Sequence, residues 1–261
     1  MSGPPWFYYP FDHLDEEKLD LSGTEANHML GARRMHPGDE LVLSNGKGRL
    51  AHCTLIEADK KARTLSLLIS LIAEIEPPAK QIVLASALAK GDRLTTLIDM
   101  ACQLGMTRFQ PVQFERSVGK WSDKLAQRCE RIAIEACKQS KQAWLPRIEP
   151  LCDYRDLEWS RDEGRALTVL ADPFGRPMDC YRAEIERAQT LCIVIGPEGG
   201  LTEAEFGHAQ EQEAAKVRLA SHILRIETAA VASIAALQGL SLIHISEPTR
   251  PAPLSRMTSS A

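Results

Sequence analysis

The sequence contains no apolar run near the roughly 20 residues that a membrane-spanning helix requires. Its 44% hydrophobic content over 261 residues therefore points to a soluble core. The N-terminal stretch MSGPPWFYYPFDHLDEE lacks the basic start and apolar centre of a signal peptide, so a cytoplasmic location is expected. Seven cysteines (Cys53, Cys102, Cys129, Cys137, Cys152, Cys180, Cys192) include no CxxC pair, and reduced core thiols are expected rather than zinc or disulfides. No His/Cys/carboxylate cluster offers a metal site. No GxGxxG follows a strand pattern, which weakens a dinucleotide-binding oxidoreductase. Net positive charge is also missing: a formal charge of -4 argues against nonspecific coating of nucleic acid. There is one local exception. Between Arg108 and Arg147 nine Lys or Arg stand against four Asp or Glu.

The densest information lies between Leu191 and Leu237. Leu191 to Ile195 is a continuous apolar run of strand length, broken by Gly196-Pro197-Glu198-Gly199-Gly200. Thr202 with Glu205 three positions on reads as a capping box, so strand, glycine loop and helix follow one another. Val217 to Leu219 reads as a second short strand, followed by the irregular Ala220 to Ile226 and an Ala-rich helix from about Thr228. Two loops at the carboxyl ends of neighbouring parallel strands are then expected to form a ligand crevice.

Upstream, residues 1–76 read as β-rich, with Glu40 to Leu43 and Leu50 to Ile56 flanking a hairpin loop at Ser44 to Gly48. Ile75-Glu76-Pro77-Pro78-Ala79 is the expected linker, because tandem prolines interrupt both regular structures. Gln81 to Ala89 is a strand and Leu94, Leu97, Ile98, Ala101 and Leu104 keep helical spacing up to Gly105. Phe109 to Val112 starts the next strand, completing a βαβ unit that favours a parallel sheet. The segment Asp123 to Ser140 predicts a helix with Leu125, Cys129, Ile132 and Ala136 on one side and Lys124, Arg128, Arg131, Glu135 and Lys138 on another. Ala166 to Leu170 is a strand, Ala171 to Gly175 a loop, and Met178 to Gln189 a helix. The Ala-rich helix is expected to stop near Gln238-Gly239, with residues 241–261 a disordered tail of foreign sequence.

IGPEGGLTEAEF and LRIETA, in that order and at that separation, resemble the two signature segments of the ribosomal RNA small-subunit methyltransferase E family. Glu115-Arg116-Ser117 is similar to the family's short ERS segment. That family belongs to the SPOUT superfamily of trefoil-knotted S-adenosylmethionine enzymes. The resemblance implies an α/β chain of two domains: a small PUA-like β-barrel at 1–76, and a SPOUT domain with a trefoil knot at 77–240. It further implies a homodimer acting on 16S rRNA or the small ribosomal subunit. Its cofactor-binding positions fall on Leu170, Gly196, Glu198, Gly199, Gly200, Leu219, Leu224, Arg225, Glu227, Thr228 and Ala229. The chain departs from the family pattern at Ala220 and His222, where Gly and Arg are usual.

The implied reaction transfers a methyl group to N3 of a uridine. Arg225 would stabilise negative charge on the uracil oxygens, while Glu198 would either accept a proton or fix its loop. Arg33, Arg34, Arg116, Lys120, Lys124, Arg128 and Arg131 are the candidate RNA contacts, since Lys and Arg position the phosphate backbone without reading sequence. Two other readings stay open: a noncatalytic RNA-binding or ribosome-assembly factor, and methylation of another RNA position.

Overall fold

The computed structural model describes residues 3–12, 14, 17–31, 35–59, 61–157, 159 and 165–242. The N-terminal unit holds β1 (Trp6–Tyr8), β2 (Lys18–Ser22), α1 (Thr24–Leu30), β3 (Glu40–Ser44), β4 (Arg49–Asp59) and β5 (Thr64–Glu74). Its five strands are ordered β1-β3-β4-β5-β2, antiparallel except where β1 joins β3. Alternation drives this sheet: Ala51, Cys53 and Leu55 of β4 point to one face with Phe7, Leu41, Leu43 and Leu67, while Val42 and Leu50 point to the other, where they are buried with Ala143. The expected hairpin loop is closed by Asn45, whose Oδ1 accepts the N–H groups of Lys47 (2.8 Å) and Arg49 (3.0 Å). Helix α1 was not foreseen. It has no side-chain N-cap, and burial of Ala26, Met29 and Leu30 against the sheet holds it instead.

The proline-rich connection is fastened rather than loose. Trp144 Nε1 donates to the carbonyls of Ile75 (3.0 Å) and Glu76 (3.1 Å), and Lys47 of the β3–β4 loop forms an isolated backbone bridge with Trp144. Beyond it run β6 (Gln81–Ser86), α2 (Asp92–Gln103), β7 (Arg108–Gln113), α3 (Asp123–Ser140), β8 (Arg147–Ile148) and β9 (Cys152–Asp153). Then come β10 (Ala166–Pro177), α4 (Arg182–Arg187), β11 (Thr190–Ile195), α5 (Glu203–Glu211), β12 (Ala215–Arg218) and α6 (Ile226–Leu242). These seven strands form one parallel sheet, β12-β10-β11-β6-β7-β8, with β9 also paired to β7. β6 and β11 are buried along nearly their whole length, as expected of central strands covered on both faces. α6 packs on β6 and β11 and against α2 and α4.

Four expectations need correction. β11 and β12 are not neighbours, because β10 lies between them. A pattern of apolar residues shows that a strand is buried but not which strand lies beside it. The segment Ala171 to Gly175 is not a loop that ends a strand. β10 resumes after it, so that both Ala171 and Arg176 pair with Val217 and residues 172–175 form an excursion. The Met178 to Gln189 helix is split into a 3-10 turn (Met178–Tyr181) and α4, because Gln189 and Thr190 already hydrogen-bond to Arg165. α6 continues through Gly239 to Leu242. An internal glycine costs a helix about 1 kcal/mol. Fully buried Ile234 and Leu237, and the Gln238 Nε2 bond to the Leu104 carbonyl (3.0 Å), outweigh it. The expected disordered tail, apart from the end of α6, lies outside the described residues.

α3 spans the expected residues, starting at an N-cap where Ser122 Oγ accepts the Leu125 N–H. Its buried line is Cys129, Ala133, Ala136 and Cys137, rotated slightly from the expected face, with Leu125 and Ile132 half-buried. All seven cysteines are free thiols, five of them buried, with Cys152 half-buried and Cys180 exposed. No helix among the described residues is long and apolar enough to cross a membrane.

Candidate functional site

Because every strand of the second sheet runs the same way, the segments after β6, β7, β11 and β12 and the excursion in β10 gather at one end. A cavity of about 370 Å³ opens there, lined by Ala171 to Pro173, by Ile195 to Leu201, and by Leu219, Ala220 and His222 to Leu224. Phe206, Val217, Ile226 and Ala229 complete its wall. Its volume lies at the lower end of the roughly 300–1,000 Å³ that small-molecule sites occupy.

The glycine loop is built for close approach. A Cβ on Gly196 would stand 2.3 Å from Leu201 Cδ1, so glycine here leaves the room that the Leu201 side chain fills. Gly200 has φ 72°, and its N–H closes a turn onto the Pro197 carbonyl at 2.9 Å. Immediately after, Thr202 and Glu205 form the expected capping box, and α5 begins. Arg116 holds the loop from the β7 side, its Nη1 donating to the Gly199 carbonyl at 3.0 Å. The ERS segment and the glycine loop are thus in direct contact.

Of the sequence-derived cofactor positions, Gly196, Glu198, Gly199, Gly200, Leu219, Leu224 and Ala229 line the cavity. Leu170 is fully buried in β10 beneath it. Arg225, Glu227 and Thr228 are not part of its wall: Arg225 and Thr228 face solvent, and Glu227 turns toward α2. The Arg225 carbonyl accepts the Ala229 N–H at 2.8 Å and so starts α6, and its exposed guanidinium has no partner among the described residues. Glu198 is ion-paired with Arg93 at 3.2 Å, and Glu227 lies 3.8 Å from the same arginine. Sequence reasoning gave Arg93 no role. Its position just after Lys90-Gly91-Asp92, in the first turn of the helix that follows a buried strand, was the signal. Ala220 is absent from the described non-glycine residues with positive φ, so alanine suits that position.

The candidate RNA contacts separate into three groups. Arg33 and Arg34 lie outside the described residues. Arg128 is already paired with Asp92 at 2.9 Å, and Arg116 is committed to Gly199. Lys120 and Lys124 are exposed with no described side-chain partner, and Arg131 is exposed with only the Gln127 carbonyl at 3.3 Å. The exposed face of α3 leads from this cavity toward the N-terminal unit, where Lys138 lies over the Phe7 ring at 5.8 Å.

Residues 76–238 match the family model described as an RNA methyltransferase domain, and residues 21–68 match one described as an RNA methyltransferase PUA domain. A ribosomal RNA small subunit methyltransferase E of Bacillus subtilis is 30% identical over 228 residues, covering 84% of this chain and 89% of that protein. This chain belongs to the ribosomal RNA small subunit methyltransferase E family. A family member from Mycobacterium tuberculosis is likewise 30% identical, over 229 residues covering 83% of this chain and 84% of its own. The crystal structure of the Neisseria gonorrhoeae member, bound to S-adenosyl methionine, superposes with a TM-score of 0.80. It is 28% identical and covers 91% of this chain and 98% of its own. The division into an N-terminal β-sheet PUA domain and a C-terminal parallel α/β domain is therefore that of the family.

Proposed function

We propose that this chain binds S-adenosylmethionine in the 370 Å³ cavity and methylates N3 of a uridine in 16S rRNA. The observation that carries the reading is the convergence of Gly196 to Gly200 and of Leu219 and Leu224 on that one hollow. The residues fit such a ligand. Glycines leave main-chain groups bare toward a flat adenine and ribose, while Leu219, Leu224, Ile226 and Ala229 offer apolar contact. The β12-β10-β11-β6 order, with β11 inserted beside an earlier strand, supports the reading that these loops belong to a trefoil knot.

When bound, the cofactor supplies a sulfonium methyl whose C–S bond breaks as the new N–C bond forms, its electrons remaining on a neutral thioether. The residues of this chain then have three tasks. The Arg225 guanidinium, exposed and unbonded by described residues, stabilises the negative charge that develops on the uracil carbonyl oxygens as the N3 proton leaves to solvent water. Glu198 holds the glycine loop through Arg93, a geometry that favours its fixing role over proton acceptance. Lys120, Lys124 and Arg131 face solvent and position the phosphate backbone, with Arg33 and Arg34 as further contacts. The target base has to leave any stack to reach the cavity, so an exposed loop is the expected substrate. Two large apolar residues beside the mouth, Phe174 (96% exposed) and Ile223 (86%), support a homodimer in which a second copy covers them.

Incubating the protein with methyl-labelled cofactor and unmodified small subunits, followed by nucleoside mapping, tests the assignment. Label in N3-methyluridine is the expected result. Label in another nucleoside would shift the position, and an absence of cofactor binding would leave an assembly factor.

A further inference from the structure

We propose that Arg93 is a positioning residue that holds the two signature loops at the separation a bound cofactor requires; this rests on the cofactor reading above. Arg93 is the second residue of α2, outside both signature segments. Its Nη1 donates to Glu198 Oε1 at 3.2 Å, and its Nε lies 3.8 Å from Glu227 Oε1. Glu198 stands in the loop after β11, and Glu227 is the second residue of α6, just past the loop after β12. Because β10 separates β11 from β12, no strand-to-strand hydrogen bond ties these loops together. A side chain from a third element does so instead.

The electrostatics require this cation. The Glu227 side chain is only 16% exposed, and its Oε2 is buried without a hydrogen-bond partner. Neither Glu198 nor Glu227 makes another ion pair among the described residues. Without Arg93, both carboxylates would lose their cation, one of them enclosed, and the loops would separate to rehydrate it. A guanidinium suits the task because its nitrogens address two carboxylates at once, whereas an ammonium acts as a single point charge.

The test uses the full chain and two readouts. Calorimetry with S-adenosylmethionine should show Arg93→Ala binding about tenfold more weakly than wild type, and Arg93→Lys about threefold more weakly. Arg93→Ala combined with Glu227→Gln should recover to within about threefold of wild type, because the enclosed carboxylate is then neutral and the charge left unpaired, on Glu198, is open to water. Hydrogen exchange on the ligand-free protein should show faster exchange in Arg93→Ala at the amides of Gly200 and Ala229, which close the turn to Pro197 and the first turn of α6. Amides of β4 and β5 should be unchanged.

Wild-type affinity and exchange in Arg93→Ala would overturn the proposal, as would a double variant no better than the single. Should Arg93→Ala fail to fold, the Arg93→Lys affinity decides by the same criterion. If the wild-type protein binds no cofactor, the methyltransferase reading fails, and the exchange measurement still decides whether Arg93 holds the loops.

Discussion

The Glu205 carboxylate accepts the Glu115 backbone N–H at 2.9 Å, joining the start of α5 to the segment that follows β7. Its other oxygen accepts the Thr202 N–H at 2.8 Å, and the Tyr154 hydroxyl donates to the Glu205 carbonyl at 3.1 Å. One buried acid thus serves a helix cap and a contact between distant segments at the same time. Glu205→Ala should lower stability by about 2 kcal/mol, the sum of a lost cap and a buried N–H left bare. Glu205→Gln should lose less, since its amide oxygen can still accept one of the two bonds. Urea denaturation of both variants measures the difference.

Arg225 has no described partner to lose, so Arg225→Ala should leave the melting temperature within about 1–2 °C of wild type. If the guanidinium meets developing charge, turnover should fall by about 10²-fold or more while cofactor affinity stays within about threefold. Single-turnover kinetics with isothermal titration separate the two quantities. Unaltered turnover would remove Arg225 from the chemistry.

Neutralising the α3 face should weaken RNA binding and flatten its salt dependence. Lys124→Ala and Arg131→Ala should each lower the slope of log K against log salt by about 0.7–0.9 if each contacts one phosphate. Arg128→Ala should change it less, because Arg128 is engaged with Asp92 at 2.9 Å before RNA arrives. Filter binding across a salt series gives the slopes, and equal slopes in all variants would return the stripe to an ordinary solvated face.

The glycines of the loop should fail in different ways. Gly200→Ala meets no atom within 4 Å but must keep φ near 72°, so it should cost about 1 kcal/mol of stability. Gly196→Ala instead pushes Leu201, 2.3 Å from the new methyl, into the cavity. Its main effect should be on cofactor affinity, read by calorimetry, with a smaller effect on unfolding.

Alkaline pH should destabilise the chain through its thiols. Burial pushes Cys53 up from 9.0 to about 12, and burial, the largest of several influences, pushes Cys129 up to about 11. Both stay neutral in the folded protein while the unfolded thiols ionise near 9. The stability difference is therefore intact below pH 9 and is lost as pH rises from there toward 11–12. Each thiol contributes a slope of up to about 1.4 kcal/mol per pH unit. Urea denaturation at pH 8, 9 and 10 should show this decline, and Cys53→Ala should make it shallower.

Local chemistry explains which parts of this molecule were readable in advance. The Thr202–Glu205 cap, the Asp123–Ser140 helix, the buried run ending at Ile195 and the Asn45 hairpin loop each depend on residues within a few positions of one another. The bare glycine loop and the Leu219–Leu224 segment were legible as partners because each carries its own turn and strand pattern, and both line the same cavity.

Interactions between distant positions were not readable in this way. Apolar spacing does not say that β10 stands between β11 and β12, or that it resumes after Asp172 to Gly175. Nor does it say that Arg93, about a hundred residues before Glu198, supplies the charge between the two loops. From its sequence alone the chain determined its strands, caps, turns and the chemistry of its two signature segments, because these follow from backbone conformation and local hydrogen bonding. Only the tertiary structure decided strand order, the walls of the cavity and the pairing of its charges, because burial and Coulomb attraction act between whichever groups the completed fold brings together.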